Sequence, residues 1–291
     1  MVDASLIVNQ IIVGLSIGSW LFLVAIGLSL VFGVLGVLNF AHGVLFAIGA
    51  YAAISVNEAI GSFFLGAIAA TVAVAIIGLI METGFIRRLY GREEEELDQL
   101  LLTFAFVLIL EAGIRFVFGS GTRSLDRPEV LDFTITVGAF GIPAYRATVI
   151  LFAVAVMAAI LVVLDRTNFG RVVRATSSDR DMAQMLGVNV PRLYTSVFVV
   201  GAALAGLGGA FAAPLFSVTP ALGETVIIDA FVIVVIGGLG SLLGSFFAAF
   251  IVGLMIAIGS IFVAGAGELM PFIALILVLL LKPEGLLGAE V

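Results

Sequence analysis

One stretch of this sequence, from Ala4 to Asn57, contains no charged side chain, yet an asparagine and the only histidine of the chain lie within it. A transmembrane helix needs about 20 apolar residues, so the stretch is long enough for two spans. Asn39 and His42 would then lie at a depth where polar groups are costly and usually functional. The sequence therefore predicts a polytopic membrane protein with a broken helix at its working centre.

The composition excludes several classes of function. Charged residues make up 11% of the chain and its mean hydropathy is +1.30, whereas about 25% of a typical soluble domain is charged. With no cysteine and one histidine, neither a thiolate nor a multi-histidine metal site is possible. Paired carboxylates and Gly-x-Ser-x-Gly are absent as well, which argues against an intramembrane enzyme. Nucleic-acid binding is also disfavoured, because the sequence offers no extended basic surface.

Nine helices are predicted from the charge-free stretches. They cover residues 6–27, 28–55, 62–82, 97–118, 147–164, 193–213, 227–240, 245–264 and 268–281. Those at 227–240 and 268–281 are short enough to be half-buried or broken. We expect one all-α polytopic membrane domain over residues 1–291, with about eight to nine transmembrane helices and a weak internal repeat.

Basic residues are unevenly distributed between the predicted loops. Loops 83–96 and 165–192 carry three and five arginines, and Lys282 follows the last helix, whereas four arginines fall on the opposite side. Because cytoplasmic loops are enriched in Lys and Arg, we expect these loops in the cytoplasm, with the amino terminus outside and the carboxyl terminus inside. Residues 119–146 then form an external loop. In it, residues 133–137 alternate like a short strand, which Gly138, Gly141 and Pro143 interrupt.

Small residues and glycines recur inside the predicted spans. Ala202 and Gly206 lie on one helix face, a spacing that lets membrane helices approach closely, and we interpret it as packing. The segments Gly36–Gly43 and Gly237–Gly244 both interrupt apolar helices, each with glycines seven residues apart. In transporters such paired interruptions indicate the binding region, although coincidence also produces short matches in a chain with 34 glycines.

The two interruptions supply the candidate pathway residues. Asn39 and His42 can share one helix face, and an unwound segment leaves backbone groups that are tolerated only against protein or a water-filled cavity. They would either line a pathway or form purely structural hydrogen bonds. The candidates are Asn39, Phe40, His42, Gly237, Gly238 and Ser241.

A short amphipathic helix is predicted inside loop 165–192. Ser178 is a good N-cap, and Gly187 would end the helix after Leu186. Such a helix either lies on the membrane surface or docks into a partner protein. Its apolar face consists of Met182, Met185 and Leu186, with Arg180 and Gln184 on the other side.

Two further groups of charged residues have structural interpretations. Glu111 and Arg115 are four residues apart on a helix near the outer interface, and we predict that they pair. The acidic run at residues 93–96 is interpreted as a solvated loop, with a salt-adapted source as the alternative.

Four segments form a specific combination, in one order, between residues 31 and 288. They are Val37–Gly43 followed by Ile48–Tyr51, the loop Phe169–Asn189, the segment Val235–Ser241, and Lys282–Leu286. Together they resemble the membrane subunit of branched-chain amino acid ABC importers, of the LivH type.

The resemblance implies an ABC importer permease fold and a set of partners. A second permease of the LivM type would form a pseudo-symmetric dimer with this chain in the lipid membrane. Two ATPase subunits would carry ATP and Mg, so this chain would need no cofactor, and an extracellular or periplasmic binding protein would deliver the substrate. Leucine, isoleucine or valine would cross between the permeases, with urea or short amides as alternative substrates.

The same resemblance makes loop 176–187 the coupling helix that sits in a groove of an ATPase. The segment Ser177–Asp181 departs from the family, in which acidic and alanine residues are more usual there. The residues assigned to coupling are Ser178, Asp179, Arg180, Asp181, Ala183, Leu186 and Gly187.

The chain has no ATP-binding motif of its own. Its one lysine, Lys282, is flanked by Leu281 and Pro283, so the Walker A sequence is absent. If ATP drives transport, another chain hydrolyses it. An ion-coupled secondary transporter, with His42 or Asp229 as carrier, is the alternative that broken helices also fit. A docking helix fits that alternative less well.

Overall fold

The computed structural model describes residues 4–92, 94–137, 140–262 and 265–288. The α-helices in these ranges are α1 Ala4–Leu35, α2 His42–Ile60, α3 Phe63–Gly84, α4 Glu95–Phe118, α5 Ala144–Arg166, α6 Asn168–Ser178, α7 Arg180–Met185, α8 Val190–Ala212, α9 Leu222–Gly237, α10 Leu242–Phe262 and α11 Met270–Leu281. Short 3-10 turns occur at Ile86–Leu89, Glu129–Leu131 and Ala266–Leu269, and two strands, β1 Thr134–Val137 and β2 Phe140–Pro143, pair antiparallel.

Seven helices of the described ranges are long and apolar enough to cross a membrane, namely α1 to α5, α8 and α10. The helices α9 and α11 have 16 and 12 residues, which is short of the roughly 17–25 that a complete span needs. An all-α polytopic protein with some short helices is therefore confirmed. The last two residues of the predicted helix 245–264 lie outside the described residues.

The predicted boundary between the first two helices, at residues 27 and 28, is wrong. A single helix continues to Leu35, where Gly36 adopts a φ of +75° and donates its N–H to the carbonyl of Phe32. A glycine in the left-handed conformation is a common helix end. Gly27 does not adopt that conformation. The second helix begins only at His42, so the interruption that the sequence predicts does separate two helices.

The bundle is assembled around α1, which packs against α5, α8, α9 and α10. Glycines allow the closest approaches: a Cβ atom on Gly18 would lie 2.8 Å from the carbonyl oxygen of Ala249 on α10. On α8, a Cβ atom on Gly206 would lie 2.7 Å from that of Val74 on α3. The interpretation of the small face of α8 as a packing surface is thus confirmed.

The described loops gather at two ends of the bundle. One end, which we name the arginine-rich end, consists of residues 85–92, residue 94, residues 165–192 and the tail 282–288. An ion pair between Arg180 and Glu95 joins its first two parts, and the tail binds the end of α9 through Leu286. The other end, the hairpin end, consists of residues 119–143 apart from 138 and 139; there Arg123 pairs with Glu58 and with the backbone of Val218.

The hairpin differs in part from the prediction. Strand β1 lies where the alternating pattern predicts a strand, but Gly141 and Pro143 belong to a second strand instead of interrupting the first. Gly141 pairs with Thr136, and Pro143 with Thr134. A two-stranded sheet has two free edges, so a proline can occur in it without removing a ladder hydrogen bond. Gly138 lies outside the described residues.

Candidate functional site

The first helix break is organised by the asparagine. The Asn39 side-chain oxygen accepts a hydrogen bond from the Ala41 N–H at 3.1 Å, and the Asn39 carbonyl accepts one from the His42 N–H, also at 3.1 Å. These two bonds turn the chain into the start of α2. Asn39 therefore has a structural role of the kind that asparagine takes in turns.

The polar atoms of this break are enclosed by protein. Asn39 is 1% exposed and His42 is 0% exposed, and among the described residues neither ring nitrogen of His42 has a hydrogen-bond partner. The ring lies against α1, where a Cβ atom on Gly27 would be 2.6 Å from the His42 Nε2 atom. Phe40 is half-buried, with its ring centre 4.9 Å from that of Phe231 on α9.

The second break is a junction between α9, α10 and the tail. Gly238 adopts a φ of +97° after the end of α9, and the Ser241 hydroxyl accepts the Gly244 N–H at 3.1 Å, which caps α10. The free carbonyls of Ile236 and Gly237 accept hydrogen bonds from the N–H groups of the tail residues 286 and 287, at 2.7 and 3.1 Å. The carbonyls that a helix end leaves free are thereby satisfied.

The second break contacts the end of α1, shortly before the first break. A Cβ atom on Gly33, in the last turns of α1, would lie 3.3 Å from the Cα atom of Gly240. The six candidate pathway residues are thus divided between a buried turn at the start of α2 and a capping junction at the end of α9. Their role in a pathway stays a prediction.

The segment predicted to couple contains two helices rather than one. Thr167 caps α6, since its hydroxyl accepts the Gly170 N–H at 3.2 Å. The N-cap of α7 is Asp179, whose carboxylate accepts the Met182 N–H at 2.8 Å, and the assignment of Ser178 as that cap is wrong. Ser178 is the last residue of α6, whereas Asp179 has the extended backbone that an N-cap requires.

Helix α7 has an exposed apolar surface at the arginine-rich end. Met182 is 52% exposed, and Met185 and Leu186 are each 78% exposed, while Ala183 faces inward. Gly187 ends the helix with a φ of +90°, as predicted. Methionine-rich exposed surfaces are typical of sites that bind other proteins.

Arg180 connects α7 with two membrane helices. Its guanidinium lies 3.5 Å from the Glu95 carboxylate of α4 and 5.3 Å from the ring centre of Tyr194 on α8. Glu95 also accepts the Gly91 N–H at 2.7 Å and the Gln99 amide at 3.1 Å. Glu95 belongs to the acidic run that sequence reasoning interpreted as a solvated loop, so its role as an anchor was missed.

A second polar cluster continues from Tyr194 into α3. The ring of Tyr90 packs edge-on against Tyr194 at 5.2 Å, and its hydroxyl donates to the fully buried Glu82 at 3.1 Å. Burial, followed by the Glu82 carboxylate, raises the pKa of the Tyr90 phenol, so the phenol stays neutral and keeps donating. Arg87 pairs with Glu82 at 3.3 Å and contacts Thr195 on α8. Glu82 is the one charged residue of α3, and this sequence signal could have revealed the cluster.

Three other charged residues that the sequence analysis singled out are Glu111, Arg115 and Asp229. Arg115 pairs with Glu111 on α4, which confirms that prediction. Asp229 is half-buried on α9 and faces a cavity of about 740 Å³ that contains none of the pathway candidates.

Apolar spans, interrupted helices and an exposed helix pair at one end define a multi-pass membrane transport subunit. The family model for the permease component of branched-chain amino acid transport systems matches residues 10–281. The chain belongs to that family, and the prediction of a branched-chain amino acid ABC permease is confirmed at this level. It is a multi-pass protein of the inner membrane.

Its relatives agree with the family assignment. The chain is 29% identical to the high-affinity branched-chain amino acid permease LivH of Salmonella typhimurium, over 96% of this chain and 95% of that protein. It is 30% identical to BraD of Pseudomonas aeruginosa over the same shares. A shorter stretch, 31% of this chain and 27% of the relative, is 37% identical to the fructose import permease FrcC of Rhizobium meliloti. No solved structure matches the chain significantly.

Proposed function

We propose that this chain forms half of the translocation pathway of an ABC importer for leucine, isoleucine and valine, and that it catalyses no reaction itself. Family membership over residues 10–281 carries the proposal, and its relatives in Salmonella and Pseudomonas are described as branched-chain amino acid permeases. A second permease of the LivM type would complete the pathway. A binding protein outside the membrane would deliver the substrate.

The proposal places the arginine-rich end in the cytoplasm. Loops on that side of a membrane are enriched in Lys and Arg, and residues 85–92 and 165–192 carry eight of the 12 arginines. The carboxyl terminus then lies in the cytoplasm and the amino terminus outside. The hairpin end faces the binding protein.

Helix α7 is the proposed contact with an ATPase subunit. Its Met185 and Leu186 side chains point away from the chain, and Arg180 holds the helix against α4 and α8. A force on α7 would therefore be passed to two membrane helices. Coupling requires that the ATPases bind the two access states with different affinity, and ATP and Mg would stay on those subunits.

The experiment compares substitutions on the two faces of α7. Met185→Asp and Leu186→Asp place a charge in the proposed contact, whereas Gln184→Asp places the same charge on the other face. We expect the first two variants to lose the co-purifying ATPases and ATP-driven leucine uptake, and the third to keep both. Normal co-purification and uptake with all three would contradict the coupling role, and a wild-type chain that purifies without any ATPase would contradict the importer.

A further inference from the structure

The 740 Å³ cavity near the hairpin end has the size of a small-molecule site. It lies between α1, α9, α10 and the start of α11, beside the first turn of α5. Ligand pockets of proteins usually enclose about 300–1,000 Å³. None of its lining residues belongs to either helix break, so it is separate from the pathway candidates of the sequence.

Most of the cavity wall is apolar and aromatic. Trp20 and Phe216 pack with ring centres 5.2 Å apart on one side. Ile228, Ile256 and Phe272 supply further aliphatic and aromatic surface. Such a wall suits a branched aliphatic side chain, because burial of its methyl groups against hydrocarbon is favourable.

Two opposite charges face this cavity without neutralising each other. Arg146, at the start of α5, and Asp229, in the middle of α9, both line it. Neither takes part in an ion pair within the described residues. The Nε atom of Arg146 is buried and has no hydrogen-bond partner among those residues. Unpaired ionisable groups are costly in a membrane protein and mark functional sites.

We propose that this cavity binds the transported amino acid as a zwitterion, with Arg146 on its α-carboxylate, Asp229 on its α-ammonium group and the apolar wall around its branched side chain. A guanidinium binds a carboxylate through two parallel hydrogen bonds, and an ammonium group donates to a carboxylate. The proposal rests on the proposed function for its substrate class.

Two further carboxylates make a cationic amino acid the rival ligand. Glu224 and Glu268 line the cavity as well, but both are exposed, so water and salt screen their charge. The half-buried pair of Arg146 and Asp229 then sets the preference. A second ammonium group could be placed only against the apolar wall or against these two screened carboxylates, which bind it weakly.

The absence of cysteine from the chain permits a direct binding measurement. Thr225→Cys places one thiol on the exposed side of the cavity, and Val130→Cys places one at the hairpin end outside it. The purified complex of permeases and ATPases is labelled with a maleimide, with and without millimolar leucine, leucinamide or lysine. We expect leucine alone to slow the labelling of Thr225→Cys, and no ligand to change that of Val130→Cys.

The Arg146→Gln substitution tests the role of the guanidinium. On the Thr225→Cys background it should abolish protection by leucine, and it should lower ATP-driven leucine uptake about tenfold or more, because a charge-assisted contact is lost. Arg127→Gln removes the same charge from an exposed neighbouring residue that does not line the cavity, and should change both readouts far less than Arg146→Gln does. Equal assembly of the two variants with the ATPases controls for folding.

Four results would overturn the site: no protection by leucine, equal protection by leucinamide, equal protection by lysine, or protection that survives Arg146→Gln. Because labelling requires neither ATP nor transport, any of them together with normal ATP-driven leucine uptake would reject this site and leave the importer intact. Failure of the wild-type complex to take up leucine would instead reject the proposed function.

Discussion

His42 and Asn39 are both buried in the first helix break, but their hydrogen bonds differ. The Asn39 side-chain oxygen holds the turn before α2. The Asn39 amide nitrogen and both ring nitrogens of His42 have no hydrogen-bond partner among the described residues. A buried polar group without a partner costs about 1–3 kcal/mol. A side chain kept at such a cost at the start of a broken helix is better explained by function than by stability.

Leucine should therefore destabilise the protein at position 39 but not at position 42. Asn39→Leu removes the bond to the Ala41 N–H and should cost about 1 kcal/mol, with Asn39→Ser intermediate because serine makes the same turn more weakly. His42→Leu replaces an unpartnered imidazole with an apolar side chain and should be neutral or stabilising. Thermal unfolding of the purified protein measures both.

Uptake by the same variants separates a pathway role from a packing role. If His42 lines or gates the pathway, His42→Leu should impair leucine uptake although the protein is as stable as the wild type and assembles normally. Normal uptake by a stable His42→Leu variant would show that the imidazole only fills space beside Gly27.

At the scale of elements, α7 depends on α4 and α8 for its position. The Arg180 guanidinium is half-buried between Glu95 and the Tyr194 ring, and Tyr90 extends the contact to Glu82 on α3. Asp181 is exposed and forms no ion pair within the described ranges. Of these two residues, Arg180 is accordingly the one at which a reversal of charge tests the proposed coupling.

An exchange of charges between α7 and α4 tests this connection. Arg180→Glu places two carboxylates together and should reduce uptake about fivefold while ATP hydrolysis continues, since partly exposed pairs contribute about 1 kcal/mol. Glu95→Arg in the same chain should restore part of the uptake. Arg192→Glu, at an exposed arginine of the same end, is the matched control.

A reduction by Arg180→Glu that equals the reduction by Arg192→Glu would indicate only the loss of positive charge at this end. Failure of the double exchange to recover any uptake would indicate that Arg180 acts on the ATPase directly and not through Glu95.

Over the whole molecule, sequence patterns predicted what depends on local composition. Residues that are close together in sequence determine the apolar helices and the glycine-rich interruptions. The same is true of the pair of Glu111 with Arg115 and of the helix around Ala183. The boundary at residue 27 failed because no charged residue divides the stretch from Ala4 to Asn57. Gly27 lies inside α1, where it contacts α8.

What sequence reasoning missed depends on contacts between distant residues. Arg146 and Asp229 are far apart in the chain and meet at one cavity only through the packing of α5 and α9. Glu95 appeared as one member of an acidic run until the fold placed Arg180 beside it. Helix α6 was overlooked although Thr167 and Gly170 give a recognisable N-cap, because the loop was interpreted as containing a single helix.

The orientation of the bundle is the property of the whole molecule that most needs a test, since coupling and substrate delivery both depend on it. Single cysteines in this cysteine-free chain can report on each end. Val130→Cys lies at the hairpin end and Leu186→Cys at the arginine-rich end, and both side chains are well exposed, at 67% and 78%.

A membrane-impermeant maleimide should label the Val130→Cys variant in intact cells. It should label the Leu186→Cys variant only after the membrane is opened, because the proposed orientation places that end, with its nine basic residues, in the cytoplasm. Comparable labelling of both after opening controls for reactivity. The reverse pattern in intact cells would place α7 outside, where no ATPase could reach it, and would refute the proposed coupling.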